Sequence, residues 1–570
     1  MTSPLTRRVY PCLHASLLAL LCSLALAVSV RAGVGDIGPW GDQGNGTYQN
    51  PILPLDYSDP DPIRVGSDYY LVSSTFQFSP GVVVLHSKDL VNWQTIGYAF
   101  SDVTVLGPKY NWDKMAEYNE GVYAPSIRYH DGKFWVFVDC LREGFWMSTA
   151  TDPAGPWTPR QLVDKNGLPL RTSGWTDVCP LWDDDGKAYL AAAGQHCLWL
   201  FQMKPDGTQL LDADIKNPVG LGGTRMWNYP NTEGNKLYKW HGIYYLFNVD
   251  FLGHGPLGIG CYLKRSKNLY GTKPDGSPGR PGDPGTYEYI RLSDVSLPTQ
   301  GGFVDTPEGK WYFLGQFNHI NAGGRYPYLL PATWLDGWLR PGADIGPDVT
   351  KFGRMVWSAP KPVSGFPIVA PQGSDEFNRP VLDPQWQWNY QPRAGYWSLT
   401  ARPGWLRLKA YRPIPPGGFF KAGNTLLQRY YKADTVRAEV KIDLSAMTDG
   451  EAAGLAHFNG GRNYFTIGAV QQGTARTLEF NNNGKVTTGP AVGGTIVYFR
   501  TDVNAANLAT FSYSFDGQSF SSLGEAFKLV HGGYRGDCIG IYNYNNAADS
   551  GWIDVDWFHY TYAGPTLSAQ

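Results

Sequence analysis

Cysteine is scarce in this chain: seven residues in 570, with Cys12 and Cys22 confined to the first 32 positions. The remaining five, Cys140, Cys179, Cys197, Cys261 and Cys538, match no metal-binding spacing. Their odd number excludes a complete disulfide framework, although one or two bridges could form. Charge is equally sparse, at 48 basic and 50 acidic residues, and no basic tail or Lys/Arg stripe offers a counter-surface for nucleic acid. Sustained helical periodicity is nearly absent. Beyond Val30 no apolar run approaches the length of a membrane span.

The apolar run that does occur is N-terminal. Arg7 and Arg8 precede Leu13–Val30, and small residues offer cleavage after Ala27 or Ala32. This is the layout of a signal peptide over 1–32, with a single membrane anchor as the alternative, and it predicts a secreted or periplasmic protein. Without the three arginines of that segment the chain keeps 45 basic against 50 acidic residues, a net charge of about -5.

Glycine and aromatic residues are abundant, and their arrangement is periodic. A Gly-containing turn followed by an aromatic, strongly β-forming run returns five times, with turn glycines Gly66, Gly132, Gly186, Gly242 and Gly309. Their separations of 66, 54, 56 and 67 residues each hold four short strands and loops. One such sheet cannot bury both faces, so the copies must pack together, and radial stacking predicts a five-bladed β-propeller. The pattern ends near Trp338. A Gly/Pro-rich passage follows, and from Glu376 onward alternating runs such as Thr435–Ile442 predict a two-sheet β-sandwich. The expected organisation is an N-terminal extension over 33–48, the propeller over 49–340, a wrapping segment and linker over 341–374, and the sandwich over 375–570.

In a propeller the innermost strands line a central channel, so chemistry is sought just before each repeat turn. Asp59 lies 7 residues before Gly66, Asp177 lies 9 before Gly186 and Glu233 lies 9 before Gly242. Three carboxyls at nearly equivalent depth form the inventory that glycosidic hydrolysis requires. One protonated carboxyl serves the leaving oxygen, an ionised one serves water or the sugar, and the third can raise the acid's pKa.

The chain resembles glycoside hydrolase family 43, in particular members with a C-terminal concanavalin-like sandwich. The resemblance is carried by Asn50-Pro-Ile-Leu-Pro, Ser58-Asp-Pro-Asp-Pro-Ile-Arg, Tyr123-Ala-Pro-Ser-Ile-Arg-Tyr, Thr176-Asp, Thr232-Glu-Gly and Gly324-Arg, and it continues through Asp375-Glu-Phe and Tyr396-Trp-Ser-Leu. It implies Asp59 as general base, in preference to Asp61, Asp177 as pKa modulator and Glu233 as general acid of an inverting reaction. It also implies that Arg325 reaches the bound sugar and that Phe78 supplies an aromatic sugar wall. Related sequences commonly carry a Gly-His pair before the fifth hairpin, where this chain has Gln300, which weakens the expectation of a metal in the channel. His254 is a lone alternative imidazole. No cofactor is required, but the family points to a structural calcium in the sandwich, with Asp556 as one ligand. The sandwich is expected to lend a loop to the cleft or add stability rather than bind polymer independently.

The implied substrates are pentosides of plant hemicellulose. Terminal β-1,4-linked xylose on xylo-oligosaccharides is preferred, with α-L-arabinofuranosyl side groups of arabinoxylan or arabinan as the rival and dual activity compatible with both. A noncatalytic carbohydrate-binding propeller would show aromatic platforms without converging carboxylates. A protein-interaction propeller would lack a sugar-sized pocket, and a lyase would need a basic uronate-binding cluster, which is missing.

Overall fold

In the computed structural model, Asp131-Gly132 and His241-Gly242 both adopt positive φ, making tight hairpin turns between residues 130 and 133 and between 240 and 243. Gly66, Gly186 and Gly309 also have positive φ, between 63° and 80°. Each of the five turns joins the first two strands of a four-stranded antiparallel sheet. The first strands are Asp61–Val65, Val122–His130, Trp175–Trp182, Thr232–Trp240 and Thr299–Asp305. The structure describes residues 40–116, 118–195, 197–227, 232–317, 322–461 and 463–564. The leader-like segment 1–32 lies outside the described residues.

Neighbouring sheets share apolar layers. Val84 and Val136 join the first sheet to the second, Phe137 and Phe201 the second to the third, Leu200 and Leu246 the third to the fourth, and Phe247 and Phe313 the fourth to the fifth. The series returns to its start, because Leu71 and Leu85 of the first sheet share a core with Leu314 and Leu329 of the fifth. The first strands also contact one another in this order, the fifth meeting the first. A small sheet of Gly41–Asp42, Thr47–Gln49 and Ser358–Pro360 pairs the N-terminal extension with the segment after the fifth sheet.

From Gln387 the chain builds two packed antiparallel sheets of seven and eight strands. Thr435–Asp443 and Ile496–Asn504 alternate buried and more exposed side chains, as a half-buried strand must. Leu455, Ile467 and Ile541 of one sheet meet Val440, Phe499 and Phe558 of the other in a shared core. All five cysteines outside the leader are buried and free, so the bridges allowed by the sequence do not form.

The sandwich is fastened to the first sheet through buried polar and aromatic contacts. Arg429 Nε donates to the Asp56 carbonyl at 2.7 Å. Arg535 Nη1 donates to the Thr75 carbonyl at 3.3 Å, and its guanidinium lies 3.9 Å from the Phe78 ring centroid. Phe78 itself is 0% exposed and packs with Phe458 and Leu427 of the sandwich. It is therefore seam packing and not a sugar wall, since no face of its ring reaches solvent. Phe78→Ala should lower unfolding stability by about 3–5 kcal/mol through the cavity it leaves, read from denaturant melts. A weakened sugar KM with unchanged stability would contradict this role.

Candidate active site

At the head of the first strands the ladder is interrupted by one extra residue. Register shifts span Tyr123/Ser126, Thr176/Cys179, Glu233/Lys236 and Thr299/Gly302. The first bulged residues, Ala124, Asp177, Gly234 and Gln300, all have positive φ, as does Asp59 at the corresponding place before the first sheet. A bulge re-aims the side chain that a regular strand would direct along the sheet. Non-glycine residues adopt this conformation rarely and at a cost, and they gather at functional sites. Asp59, Asp177 and Gln300 thus occupy one repeated position. Glu233 stands one residue earlier, beside Gly234, so the equivalence suggested by sequence spacing is off by one for the fourth sheet.

These residues line a cavity of about 370 Å³, together with Tyr123, Phe251, Arg325 and, from the sandwich, His531, Gly533 and Tyr534. A larger groove of about 600 Å³ on the sandwich edge gathers no acids beyond Asp502, which is paired with Arg437 at 2.7 Å. Chemistry therefore belongs to the smaller cavity.

Asp59 is surrounded by donors. Arg325 Nη1 and Nη2 reach its two carboxylate oxygens at 3.0 and 3.2 Å, Ser74 Oγ donates to Oδ2 at 2.7 Å, and Gln316 Nε2 donates to Oδ1 at 3.1 Å. The Ser74 hydroxyl is oriented in turn by the Ala124 N–H at 2.7 Å. Such a shell stabilises the ionised carboxylate. Asp61 faces a different environment: it is 0% exposed and bonds Arg128 Nη1 at 2.7 Å, with Lys236 Nζ at 3.9 Å.

The other two acids have weaker donor shells: Asp177 accepts from the Gly234 N–H and the Thr176 side chain, and Glu233 has Gln300 Nε2 at 3.5 Å. Burial, reinforced by the charge of Asp59 and opposed by Lys236, pushes Asp177 up to about 6. Burial and then the charges of Asp177 and Asp59 push Glu233 up to about 8, against the pull of Arg325. One buried oxygen of Asp177, Oδ1, has no hydrogen-bond partner within the protein. Asp139, cross-strand from Tyr123, is a further buried acid, pushed well above the usual carboxylate range by burial and then by the charges of Glu143 and Asp177. Nothing in the sequence pattern singled it out.

The loop holding Arg325 is locked to the sandwich. Asp56 accepts the Arg325 N–H at 3.2 Å and the Gly536 N–H at 3.3 Å. Gly536 must be glycine here, because a Cβ would lie 2.4 Å from the Gly323 carbonyl carbon. Tyr534 completes the wall through an edge-to-face contact with Tyr123 at 5.4 Å, so the aromatic lining comes from Tyr123, Phe251 and Tyr534 in place of Phe78.

The expected calcium ligand does not fit a metal. Asp556 pairs with Lys441 Nζ at 2.7 Å, and among the described residues no group of three His, Cys, Asp or Glu side chains converges on a common point. His254 is exposed and is not part of the cavity lining.

The profile described as "Glycosyl hydrolases family 43" matches residues 48–339, and that of the "Beta xylosidase C-terminal Concanavalin A-like domain" matches 374–561. The chain belongs to glycoside hydrolase family 43. A beta-xylosidase from Formosa agariphila is 33% identical, covering 94% of this chain and 93% of the relative. A non-reducing end alpha-L-arabinofuranosidase from Bacteroides ovatus is 28% identical over 90% of this chain and 94% of its own length. Among solved structures, a bifunctional GH43-CE protein of Bacteroides eggerthii aligns with TM-score 0.76 and 27% identity, covering 93% of this chain and 64% of that one. The chain is thus an all-β glycoside hydrolase with a concanavalin-like C-terminal domain.

The electrostatics yield a direct test. Asp177→Asn should lower the pKa of Glu233 by roughly one pH unit, because a neighbouring like charge disappears. The measurement is a carboxyl titration by isotope-edited infrared difference against Glu233→Gln, and an unmoved pKa would refute the coupling.

Proposed function

We propose that this glycoside hydrolase is an exo-acting, inverting β-xylosidase that removes terminal xylose from β-1,4-xylo-oligosaccharides. The observation that carries the proposal is the convergence of Asp59, Asp177 and Glu233, from three sheets, on one cavity walled by Tyr534. The five sheets are read as the blades of a five-bladed propeller, supported by their closed series of shared cores and by the contact of the fifth first strand with the first. Beta-xylosidase is the name carried by the Formosa relative. The leader-like sequence supports export to the periplasm or beyond.

In this mechanism Asp59, held in place by Arg325, Ser74 and Gln316, takes a proton from water as the water oxygen bonds to the anomeric carbon. The bond from that carbon to the leaving oxygen breaks, and Glu233 gives its proton to the leaving oxygen. Asp59 ends protonated and Glu233 ionised, and exchange with solvent restores both. Burial keeps Glu233 protonated, the charge of Asp177 reinforces this, and the unpartnered Oδ1 of Asp177 is suited to accept a sugar hydroxyl. Arg325 is placed to contact the same ring. No step requires a metal or cofactor.

The alternative is removal of terminal α-L-arabinofuranosyl groups, alone or as a second activity, as the printed name of the Bacteroides ovatus relative suggests. A panel of aryl pentosides, xylo-oligosaccharides and arabinoxylan fragments decides between them. The expected result is release of xylose from the non-reducing end of xylobiose and longer chains. Release of arabinose alone would replace the xylosidase assignment, and cleavage of no pentoside would overturn both. Glu233→Gln should reduce turnover of xylobiose by about 10²–10⁴-fold, the usual worth of a general acid, and affect activated aryl xylosides far less. Equal losses on both would contradict the acid role.

A further inference from the structure

Gln300 holds, in the fifth sheet, the bulge position that Asp59 and Asp177 hold in the first and third. It is 7% exposed, and Gln316 beside it is fully buried. Their amides form an ordered chain whose direction is set at one end. The Asp59 backbone N–H can only donate, so Gln316 turns its oxygen to it, at 2.7 Å. The Gln316 amide nitrogen is then left to donate, and it does so to Asp59 Oδ1 at 3.1 Å and Gln300 Oε1 at 2.8 Å. With its oxygen engaged, Gln300 must direct its Nε2 outward, and that nitrogen lies 3.5 Å from Glu233 Oε2. Hydrogen bonds at catalytic groups are often long before substrate closes on them.

We infer that Gln316 and Gln300 form an oriented amide relay from Asp59 to Glu233, in which Gln300 is a positioning residue for the acid. The inference rests on the proposed roles of Asp59 and Glu233. By donating to Oε2 in either protonation state of Glu233, Gln300 leaves Oε1 to carry the proton. The same bond favours the ionised form and so offsets part of the burial that raises the acid's pKa. An imidazole at this position would titrate in the same range as the acid, whereas an amide keeps its donor at every pH. The charged groups acting on Glu233 are Asp177 and Asp59, which favour its proton, and Arg325, which opposes it. His531 and Tyr123 also line the cavity.

The test compares wild type with Gln300→Met, which keeps the side-chain length but neither donates nor accepts strongly. Gln300→Ala is the second variant, since it removes the whole amide arm without placing any new group beside Glu233. Carboxyl titration of the free protein by isotope-edited infrared, assigned with Glu233→Gln, needs no substrate. In both variants the pKa of Glu233 should rise by roughly one pH unit, the worth of a hydrogen bond to a charged group. Turnover of xylobiose should fall about tenfold, corresponding to about 1.4 kcal/mol, with a smaller loss on activated aryl xylosides. An unshifted Glu233 in both variants overturns the relay, even where the wild type cleaves xylobiose as proposed. A shifted Glu233 in a protein that cleaves no pentoside supports the relay and sinks the substrate assignment instead.

Discussion

The catalytic cleft depends on a backbone constraint repeated at the head of the first strands: one residue in the left-handed region, at Asp59, Ala124, Asp177, Gly234 and Gln300. In the second to fifth sheets it accompanies an extra residue in the ladder. Without the bulges a regular strand would keep its side chains in the cores between sheets, where Val178, Leu237 and Phe303 point. In the second, third and fifth sheets the bulged residue, Ala124, Asp177 or Gln300, lines the cavity, at a conformational cost of about 1–3 kcal/mol for each. The surrounding cores offset that cost, which is why the strain persists.

Given that placement, the same three charges acquire different chemistry from their surroundings. Asp59 collects bidentate Arg325, Ser74 and Gln316, an environment that stabilises negative charge. Glu233 is buried, feels the charges of Asp177 and then Asp59, and has far fewer donors, so it keeps its proton to about 8. A carboxyl pushed up to about 8 beside a carboxylate paired with an arginine is what acid and base chemistry at one centre requires. The sandwich takes part because Asp56 ties the Arg325 loop to Gly536, two residues beyond Tyr534. The cleft is thus shared between segments distant in sequence, and the described residues of both belong to one compact unit.

Much of this was legible beforehand, for physical reasons. Hairpin turns need residues tolerant of positive φ, so the five glycines revealed the five sheets. Asp59, Asp177 and Glu233 were visible because they sit at short, regular distances from those turns. The bulges were not, since one inserted residue changes an offset by only one and leaves no compositional trace. Glu233 looked equivalent to Asp177, although it stands one position earlier, because the turn glycine lies four residues beyond the last paired residue Trp182 in the third sheet and only two beyond Trp240 in the fourth. Phe78 was misread because an aromatic near a cleft and an aromatic in a seam have the same sequence. Its burial is decided by Phe458 and Arg535, hundreds of residues away. Tyr534 and His531 were missed individually for the same reason, although a loop from the sandwich was expected; the Gly-rich run Gly532-Gly533-Tyr534-Arg535-Gly536 was the available signal. Asp556 was chosen by proximity to the end of a strand, and Lys441 satisfies it.

The account stands on a single displacement, with Asp59 serving water and Glu233 serving the leaving oxygen from opposite sides of one sugar. Proton NMR of the first sugar released from xylobiose, recorded faster than mutarotation, tests this most directly. Inversion predicts α-xylose as the initial product from the β-linked substrate. Initial β-xylose would mean a covalent intermediate and would contradict the assignment of Asp59 as a base.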